Sequence, residues 1–244
     1  SSDGVITKNE TSNSSTFVKN KSISPDDVPV AKVSHPLYLG GSSSFGLFDE
    51  PSGPPVIDSL QLIREDIGDC KRCKLSRHRK NIVFGSGDPK SKLVFVGEAP
   101  GADEDEQGLP FVGRAGKLLN QLIHEAGMKR SEVYICNIVK CRPPGNRTPE
   151  KDEIESCKPF ILRQIGAVRP KLICCLGSPA LRTMLPEIKE GITKVRGQLL
   201  DFHGIKLLPT FHPAYILRNP RKGEAIRKDF KFIVKFLGAN NRTL

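Results

Sequence analysis

Hydrophobic residues in this chain occur in two patterns, as short continuous runs and as positions repeated every three or four residues. Short apolar runs predict buried strands, and they span residues 92–96, 133–139, 171–176 and 205–208. The helical repeat predicts helices over about 115–126, 148–168 and 224–237. Strands that alternate with helices indicate a parallel sheet covered on both faces. The predicted fold is therefore α/β, with three layers in the order αβα around a mainly parallel four-stranded sheet.

Local signals predict where some helices begin. Leu60, Ile63 and Ile67 share one face of a first helix, and Asp58 is its candidate N-cap residue. Pro149 suits the first position of the long helix, because that position needs no amide hydrogen bond.

One segment allows two interpretations. Residues 199–202 and 205–208 form a hairpin around His203-Gly204, or the second run is a core strand that leads to His212.

Composition divides the chain into two parts. Residues 1–55 are rich in Ser, Asn, Gly, Pro and Lys without a hydrophobic period, which predicts a disordered tail. Residues 56–240 carry the predicted elements and form one domain. No apolar run approaches the roughly 20 residues that span a bilayer, and no secretory signal is visible. We expect an intracellular protein without a membrane partner; a plastid, a mitochondrion and the nucleus all stay open.

The chain is strongly basic, with 38 Lys and Arg against 27 Asp and Glu, a net charge of +11. This balance favours a polyanionic partner such as nucleic acid. Alternatively, the surplus lysine only serves solubility.

Polar clusters follow three of the predicted strands, at Gly97-Glu98, at Asn137 and at His212. The carboxyl ends of parallel strands meet at one edge of a sheet, where ligands bind. We therefore expect the three clusters to share one rim.

The first cluster combines glycines with carboxylates between Gly97 and Asp105. Glycine lets the backbone approach a ligand closely, and Glu98 could activate water or stabilise positive charge. Alternatively, this is an acidic turn that leaves a strand. Farther on, the amides at the start of the next helix, together with Arg114 and Lys117, could hold a phosphate.

In the second cluster, the side chain of Asn137 offers a hydrogen-bond donor beside an acceptor, which suits the edge of a nucleobase. Alternatively, Asn137 caps a turn. Arg142 and Arg147 flank it on a Pro- and Gly-rich loop and suit contacts with phosphate.

In the third cluster, His212 could donate to a carbonyl oxygen that gains negative charge. The apolar residues from Tyr215 to Leu217, followed by Arg218, would suit a wedge that enters a base stack. Alternatively, the segment starts an ordinary helix whose apolar residues are core.

Seven cysteines, an odd number, argue against a disulfide framework. Four are spaced for a metal site: Cys70, Cys73, Cys141 and Cys157. Four thiolates could bind zinc or a [4Fe–4S] cluster, and the spacing does not choose between them. Cys174 and Cys175 lie within an apolar run and are predicted to be core residues.

Together, four motifs resemble family 4 of the uracil-DNA glycosylase superfamily over roughly residues 57–238. The motifs are Gly97-Glu98-Ala99-Pro100-Gly101, residues 109–116, residues 140–147 and His212-Pro213-Ala214-Tyr215. The resemblance implies the fold above and a monofunctional glycosylase that flips uracil out of DNA, hydrolyses its N-glycosidic bond and leaves an abasic site. It also implies a structural [4Fe–4S] cluster on the four spaced cysteines, with no metal needed for the chemical step.

The resemblance further implies site residues. Glu98 would belong to the water network, His212 would contact uracil O2, and Glu104 would lie near C5 and help exclude thymine. Phe111 would stack on the base and Asn137 would read its N3–H and O4. The remaining substrate-binding and DNA-binding residues would be Gly97, Ala99, Asn146, Arg114, Lys117, Arg142, Arg147, Tyr215 and Arg218.

The partner implied is uracil-containing DNA, single- or double-stranded, bound by a monomer. The alternative is a non-catalytic iron–sulfur or zinc protein that binds nucleic acid or senses redox state.

Overall fold

A six-stranded mixed sheet forms the centre of the protein. The computed structural model describes residues 58–239, so the predicted tail over 1–55 lies outside the described residues. The strands are β1 Ser86–Gly87, β2 Leu93–Gly97, β3 Tyr134–Asn137, β4 Leu172–Leu176, β5 Leu200–Phe202 and β6 Ile205–Thr210. Their order across the sheet is β1-β3-β2-β4-β6-β5.

Eight α-helices connect or cover these strands within the described residues. They are α1 Leu60–Ile67, α2 Ala102–Gln107, α3 Arg114–Glu125, α4 Lys151–Val168, α5 Ser178–Met184, α6 Ile192–Val195, α7 Pro213–Arg218 and α8 Gly223–Ala239. In residues 58–239, no helix is long and apolar enough to cross a membrane.

The sheet has a hydrophobic core on each face, because successive strand residues point to opposite sides. In β2, Val94 and Val96 pack with α1, α4 and α5, whereas Leu93 and Phe95 pack with α3 and α8. The predicted αβα layering is confirmed.

The strand count differs from the prediction. β3, β2, β4 and β6 are mutually parallel and form the predicted four-stranded core. β1 and β5 add an antiparallel strand at each edge. The run at 205–210 satisfies both interpretations of this segment, since β6 pairs with β5 as a hairpin and with β4 as a core strand.

Two predicted helix starts were wrong. The N-cap of α1 is Ser59, whose Oγ accepts from the amide of Leu62 at 3.2 Å, and Asp58 instead pairs with Arg163. The long helix begins at Lys151, so Pro149 precedes its first turn. The acidic segment at 102–107 is a helix rather than a turn, because the side chain of Glu104 bonds back to the amide of Gly101.

Candidate active site

The carboxyl ends of β2, β3 and β6 open into one cleft of about 880 Å³. All three polar clusters contribute to its walls, as expected. Of the residues singled out from the sequence, those that line it are Glu98, Ala99, Glu104, Phe111, Arg114, Asn137, Asn146, Arg147, His212, Tyr215 and Arg218. Gly97 lies against Asn137 and Phe111, whereas Lys117 and Arg142 are not part of the lining.

Asn137 ends β3 and is buried, at 1% exposure. Its side-chain oxygen Oδ1 has no hydrogen-bond partner among the described residues. Gly97, its neighbour on β2, has no side chain, and a Cβ there would come within 2.3 Å of that oxygen and 2.6 Å of the Phe111 ring. The glycine thus leaves room for Asn137 and Phe111 to approach one another.

His212 is the N-cap of α7, and its Nδ1 accepts a hydrogen bond from the amide of Ala214 at 3.1 Å. Burial, with the nearby charge of Arg218, lowers the pKa of His212 to about 4. A neutral imidazole whose Nδ1 accepts must carry its proton on Nε2. The His212 ring lies 5.6 Å from the Phe111 ring, centroid to centroid. The cleft therefore presents a neutral N–H donor beside an aromatic face.

Glu98 directly follows β2 and is half-buried in the cleft. Burial raises the pKa of its carboxyl group, and a hydrogen bond from Thr148 offsets part of that rise. Thr148 also lines the cleft but was not predicted. Its place three residues before the first residue of α4 gave no signal, since that segment was interpreted only as a helix start.

Phe111 sits in a turn held from both sides. Its φ is +53°, unusual for a residue with a side chain. Glu104 accepts from the amides of Val112 and Gly113, each at 2.9 Å. Arg130 donates to the carbonyl oxygens of Pro110 and Phe111. Glu104 is thus bound to the backbone, and its predicted role beside the base stays a prediction; Arg130 was missed.

The basic loop after β3 is braced internally. Arg142 donates to Oδ1 of Asn146 at 2.7 Å. Arg147 forms a two-pronged ion pair with the buried carboxylate of Glu153, at 2.7 and 2.8 Å. The phosphate contacts predicted for Arg142 and Arg147 stay predictions.

Other cations are free to meet a polyanion. Arg114 and Lys117 on α3 and Arg218 on α7 are exposed and have no ion pair within the described part of the chain. Beside Arg218, Leu217 is 39% exposed, whereas Tyr215 packs against Phe211 with ring centroids 5.0 Å apart. The predicted wedge therefore has an exposed apolar tip flanked by a cation.

The four cysteines spaced for a metal site lie in one neighbourhood. Burial raises the pKa of the Cys157 thiol, and Cys73 and Cys70 add to the rise. Burial likewise raises the pKa of Cys141 to about 12, with Cys157 and Cys73 adding to it. Across residues 58–239, no three His, Cys, Asp or Glu side chains converge on a single metal ion.

Nitrogen donors face three of these sulfur atoms. Arg72 lies 3.5 Å from Sγ of Cys70, Arg79 lies 3.5 Å from Sγ of Cys141, and the Lys140 amide lies 3.3 Å from Sγ of Cys157. Four soft sulfur ligands with cationic and amide donors suit an iron–sulfur cluster, which is held by thiolates. The remaining cysteines, Cys136, Cys174 and Cys175, are fully buried in strands.

Comparison with known proteins identifies relatives over most of this domain. A family model described as the uracil DNA glycosylase superfamily matches residues 84–238. A type-4 uracil-DNA glycosylase of Sulfurisphaera tokodaii is 44% identical over 207 residues, which cover 77% of this chain and 94% of that protein.

Two further relatives carry the same description. The type-4 uracil-DNA glycosylase of Thermotoga maritima is 48% identical over 161 residues, covering 66% of this chain and 84% of that protein. That of Saccharolobus solfataricus is 44% identical over 196 residues, which cover 77% of this chain and 91% of that protein. With a cleft of this composition and similarity of this extent, the chain belongs to the uracil DNA glycosylase superfamily.

Proposed function

We propose that this protein is a uracil-DNA glycosylase of DNA repair, which hydrolyses the bond between uracil N1 and deoxyribose C1′. The observation that carries the proposal is the buried Oδ1 of Asn137, an acceptor without a partner in the cleft. A buried acceptor left unpaired costs free energy, so such a group is kept where a ligand supplies the donor. The similarity to type-4 uracil-DNA glycosylases supports uracil as that ligand.

The side chain of Asn137 would select the base. Uracil presents the N3–H donor beside the O4 acceptor, and the amide of Asn137 offers an acceptor beside a donor. On cytosine the donor and the acceptor are exchanged, so neither hydrogen bond with the Asn137 side chain would form. The Phe111 ring, next to Asn137, would stack on the face of the flipped base.

His212 and Glu98 would act on the breaking bond. When the C1′–N1 bond breaks, its electron pair moves to uracil, and negative charge builds on the ring oxygens. The Nε2–H of neutral His212 would stabilise that charge at O2. Water forms the new bond to C1′ and gives up one proton, which neutralises the departing uracil anion. The half-buried carboxylate of Glu98 would orient that water and favour the positive charge on the sugar.

Strand cleavage is not part of the proposal. No lysine lines the cleft within residues 58–239, so no amine is placed to form a Schiff base with the sugar. The products are free uracil and an abasic site.

DNA would approach the cleft through its cationic rim. Uracil must leave the base stack, at a cost of a few kcal/mol. Leu217 would fill the space that the base leaves, and Arg114, Lys117 and Arg218 would contact phosphates. We propose that a monomer acts in this way on single- or double-stranded DNA.

A [4Fe–4S] cluster would be held by Cys70, Cys73, Cys141 and Cys157. It would supply structure rather than chemistry, joining the segment before β1 to the loop after β3 and to α4. The runner-up function, a non-catalytic cluster or zinc protein, would not require an unpaired acceptor and a neutral histidine in one cleft.

The test is excision from an oligonucleotide with a single uracil, followed by alkali to cleave abasic sites. We expect strand breaks at uracil only, and none at the same position with cytosine or thymine. An absence of breaks with a protein that binds DNA would favour the non-catalytic alternative. Visible absorption of the purified protein separates an iron–sulfur protein from a colourless zinc protein.

A further inference from the structure

The Phe111 turn is conformationally strained. A φ of +53° brings Cβ close to backbone atoms, which residues other than glycine, Asn and Asp rarely tolerate. Phe111 is nevertheless 5% exposed and faces the cleft. Surrounding contacts must therefore hold the turn in place.

Arg130 holds the carbonyl side of this turn. One guanidinium nitrogen donates to the Phe111 carbonyl oxygen at 3.1 Å, and the other donates to that of Pro110. The first nitrogen also donates to Oδ1 of Asn120 on α3, at 2.6 Å. Asn120 thus orients the guanidinium toward two consecutive carbonyl groups.

Glu104 holds the amide side. One carboxylate oxygen accepts from the amides of Val112 and Gly113, and the other accepts from the amide of Gly101. In the segment 110–113, Arg130 therefore binds the carbonyl groups of the first two residues, and Glu104 binds the amides of the last two.

Helix α3 closes the remaining side. Gly116 in its first turn lies so close that a Cβ would meet the carbonyl carbon and oxygen of Phe111 at 2.0 Å. The Phe111 peptide has no room to move toward the helix, so the two charged side chains decide whether it can move away.

We propose that Arg130 is a positioning residue that, with Glu104 opposite, fixes Phe111 as the surface on which the flipped base stacks. This inference rests on the proposed function for the identity of the base. Arg130 does not line the cleft and acts only through the turn.

The first test follows the turn itself and needs no activity. Hydrogen exchange of peptides covering residues 109–116 is compared between the wild type and Arg130→Met. The amides of Val112 and Gly113 should exchange about tenfold faster or more in the variant, with other segments unchanged. Equal exchange in both proteins would overturn the proposal. This result stands even if the wild type excises no uracil, in which case the proposed function alone fails.

The second test is a double-mutant cycle on single-turnover uracil excision, with Arg130→Met, Phe111→Ala and both changes together. Misplacing a reacting group by about 1 Å costs up to about 10²-fold in rate. We expect Arg130→Met to lower the maximal rate on this scale while the half-saturating DNA concentration stays the same. In the Phe111→Ala background, Arg130→Met should have no further effect. Full additivity would mean that Arg130 acts elsewhere, and would overturn the proposal.

Matched variants complete the design. Arg227→Met makes the same change at an exposed arginine that pairs with Glu125 of α3 at 2.8 Å, and both measurements should match the wild type. If Arg130→Met fails to fold, Asn120→Ala removes only the orienting acceptor and should shift both measurements in the same direction by less. Arg130→Lys, which keeps a donor, should recover part of the excision rate lost in Arg130→Met. An Asn120→Ala protein with the wild-type excision rate and wild-type hydrogen exchange would count against the proposal.

Discussion

The side-chain nitrogen Nζ of Lys140 is completely buried and donates to the backbone carbonyl oxygen of Asn137 at 2.7 Å. It also donates to Oε1 of Gln164 at 2.6 Å, and no carboxylate of residues 58–239 lies within ion-pair distance. The amide of the same residue faces Cys157. Lys140 therefore connects the cysteine neighbourhood to the residue predicted to read the base.

Replacing Lys140 by Met should destabilise the protein. The change leaves the carbonyl of Asn137 and Oε1 of Gln164 without their donor, at about 1–3 kcal/mol each. Urea unfolding should give a lower midpoint, and uracil excision should fall because the backbone at Asn137 is no longer fixed. Lys235→Met, at an exposed position of α8, should stay within about 0.5 kcal/mol of the wild type. A Lys140→Met protein as stable as the wild type would show that these hydrogen bonds are dispensable.

Replacing Asn137 by Ala should separate activity from stability. Excision of uracil should fall about tenfold to a hundredfold or more, as the loss of a buried hydrogen bond of 1–3 kcal/mol predicts. The free energy of unfolding should change little, because the oxygen removed has no partner in the free protein. Salt-dependent affinity for undamaged DNA, which depends on Lys and Arg contacts to phosphate, should be retained.

Asn137→Asp should also lose most excision, since a carboxylate would face O4 of uracil. A wild-type rate in Asn137→Ala would mean that Asn137 only caps the turn, and uracil recognition would then lie elsewhere.

The protonation of His212 should be visible in the pH dependence of the free energy of unfolding. Its pKa is about 4 in the folded protein and near 6.5 when unfolded, so the unfolded chain binds more protons between these values. This difference contributes about 3 kcal/mol to the free energy of unfolding. The contribution is fully present above pH 6.5 and is lost as the pH falls toward 4. Urea unfolding from pH 4 to pH 8 measures it, and His212→Asn should flatten that part of the curve.

The same histidine constrains the pH profile of excision. His212 stays neutral down to about pH 4, so no loss of rate near pH 6.5 should come from its protonation. His212→Asn keeps an acceptor for the Ala214 amide but loses the Nε2–H donor, and should lower the rate about 10²–10³-fold. An inflection near pH 6.5 in the wild type that vanishes in His212→Asn would contradict a neutral donor.

The assignment of cluster ligands predicts which cysteines matter. Cys70→Ala and Cys157→Ala should lose iron and visible absorption and fold less well, because binding of the cluster is coupled to folding. Cys174→Ala should keep its iron, since that thiol is buried in β4 on the opposite face of the sheet from Cys157. Iron content, absorption and thermal unfolding measure these effects. Loss of iron in Cys174→Ala with retention in Cys157→Ala would reverse the assignment.

The layered fold could be predicted from the sequence because its signals are local. Four apolar runs become the four parallel strands, and the repeat Ile226, Phe230, Ile233 becomes the buried face of α8. The edge strand β1 is two residues long, too short for a hydrophobic period to mark it, whereas β5 was predicted as the first arm of the hairpin around His203-Gly204. Helix starts failed where side chains found distant partners, as with Asp58 and Arg163.

The sequence by itself determined which chemical groups gather in the cleft. Gly97-Glu98, Asn137 and His212 each lie at the carboxyl end of a strand, and parallel strands place those ends at one edge of the sheet. Only the tertiary structure decided how those groups are held. Arg130 reaches carbonyl groups 19 and 20 residues earlier in the chain, and Lys140 reaches Gln164 on another element. Such contacts depend on how helices pack on the sheet, and no local pattern of residues encodes a hydrogen bond between elements that meet only after folding.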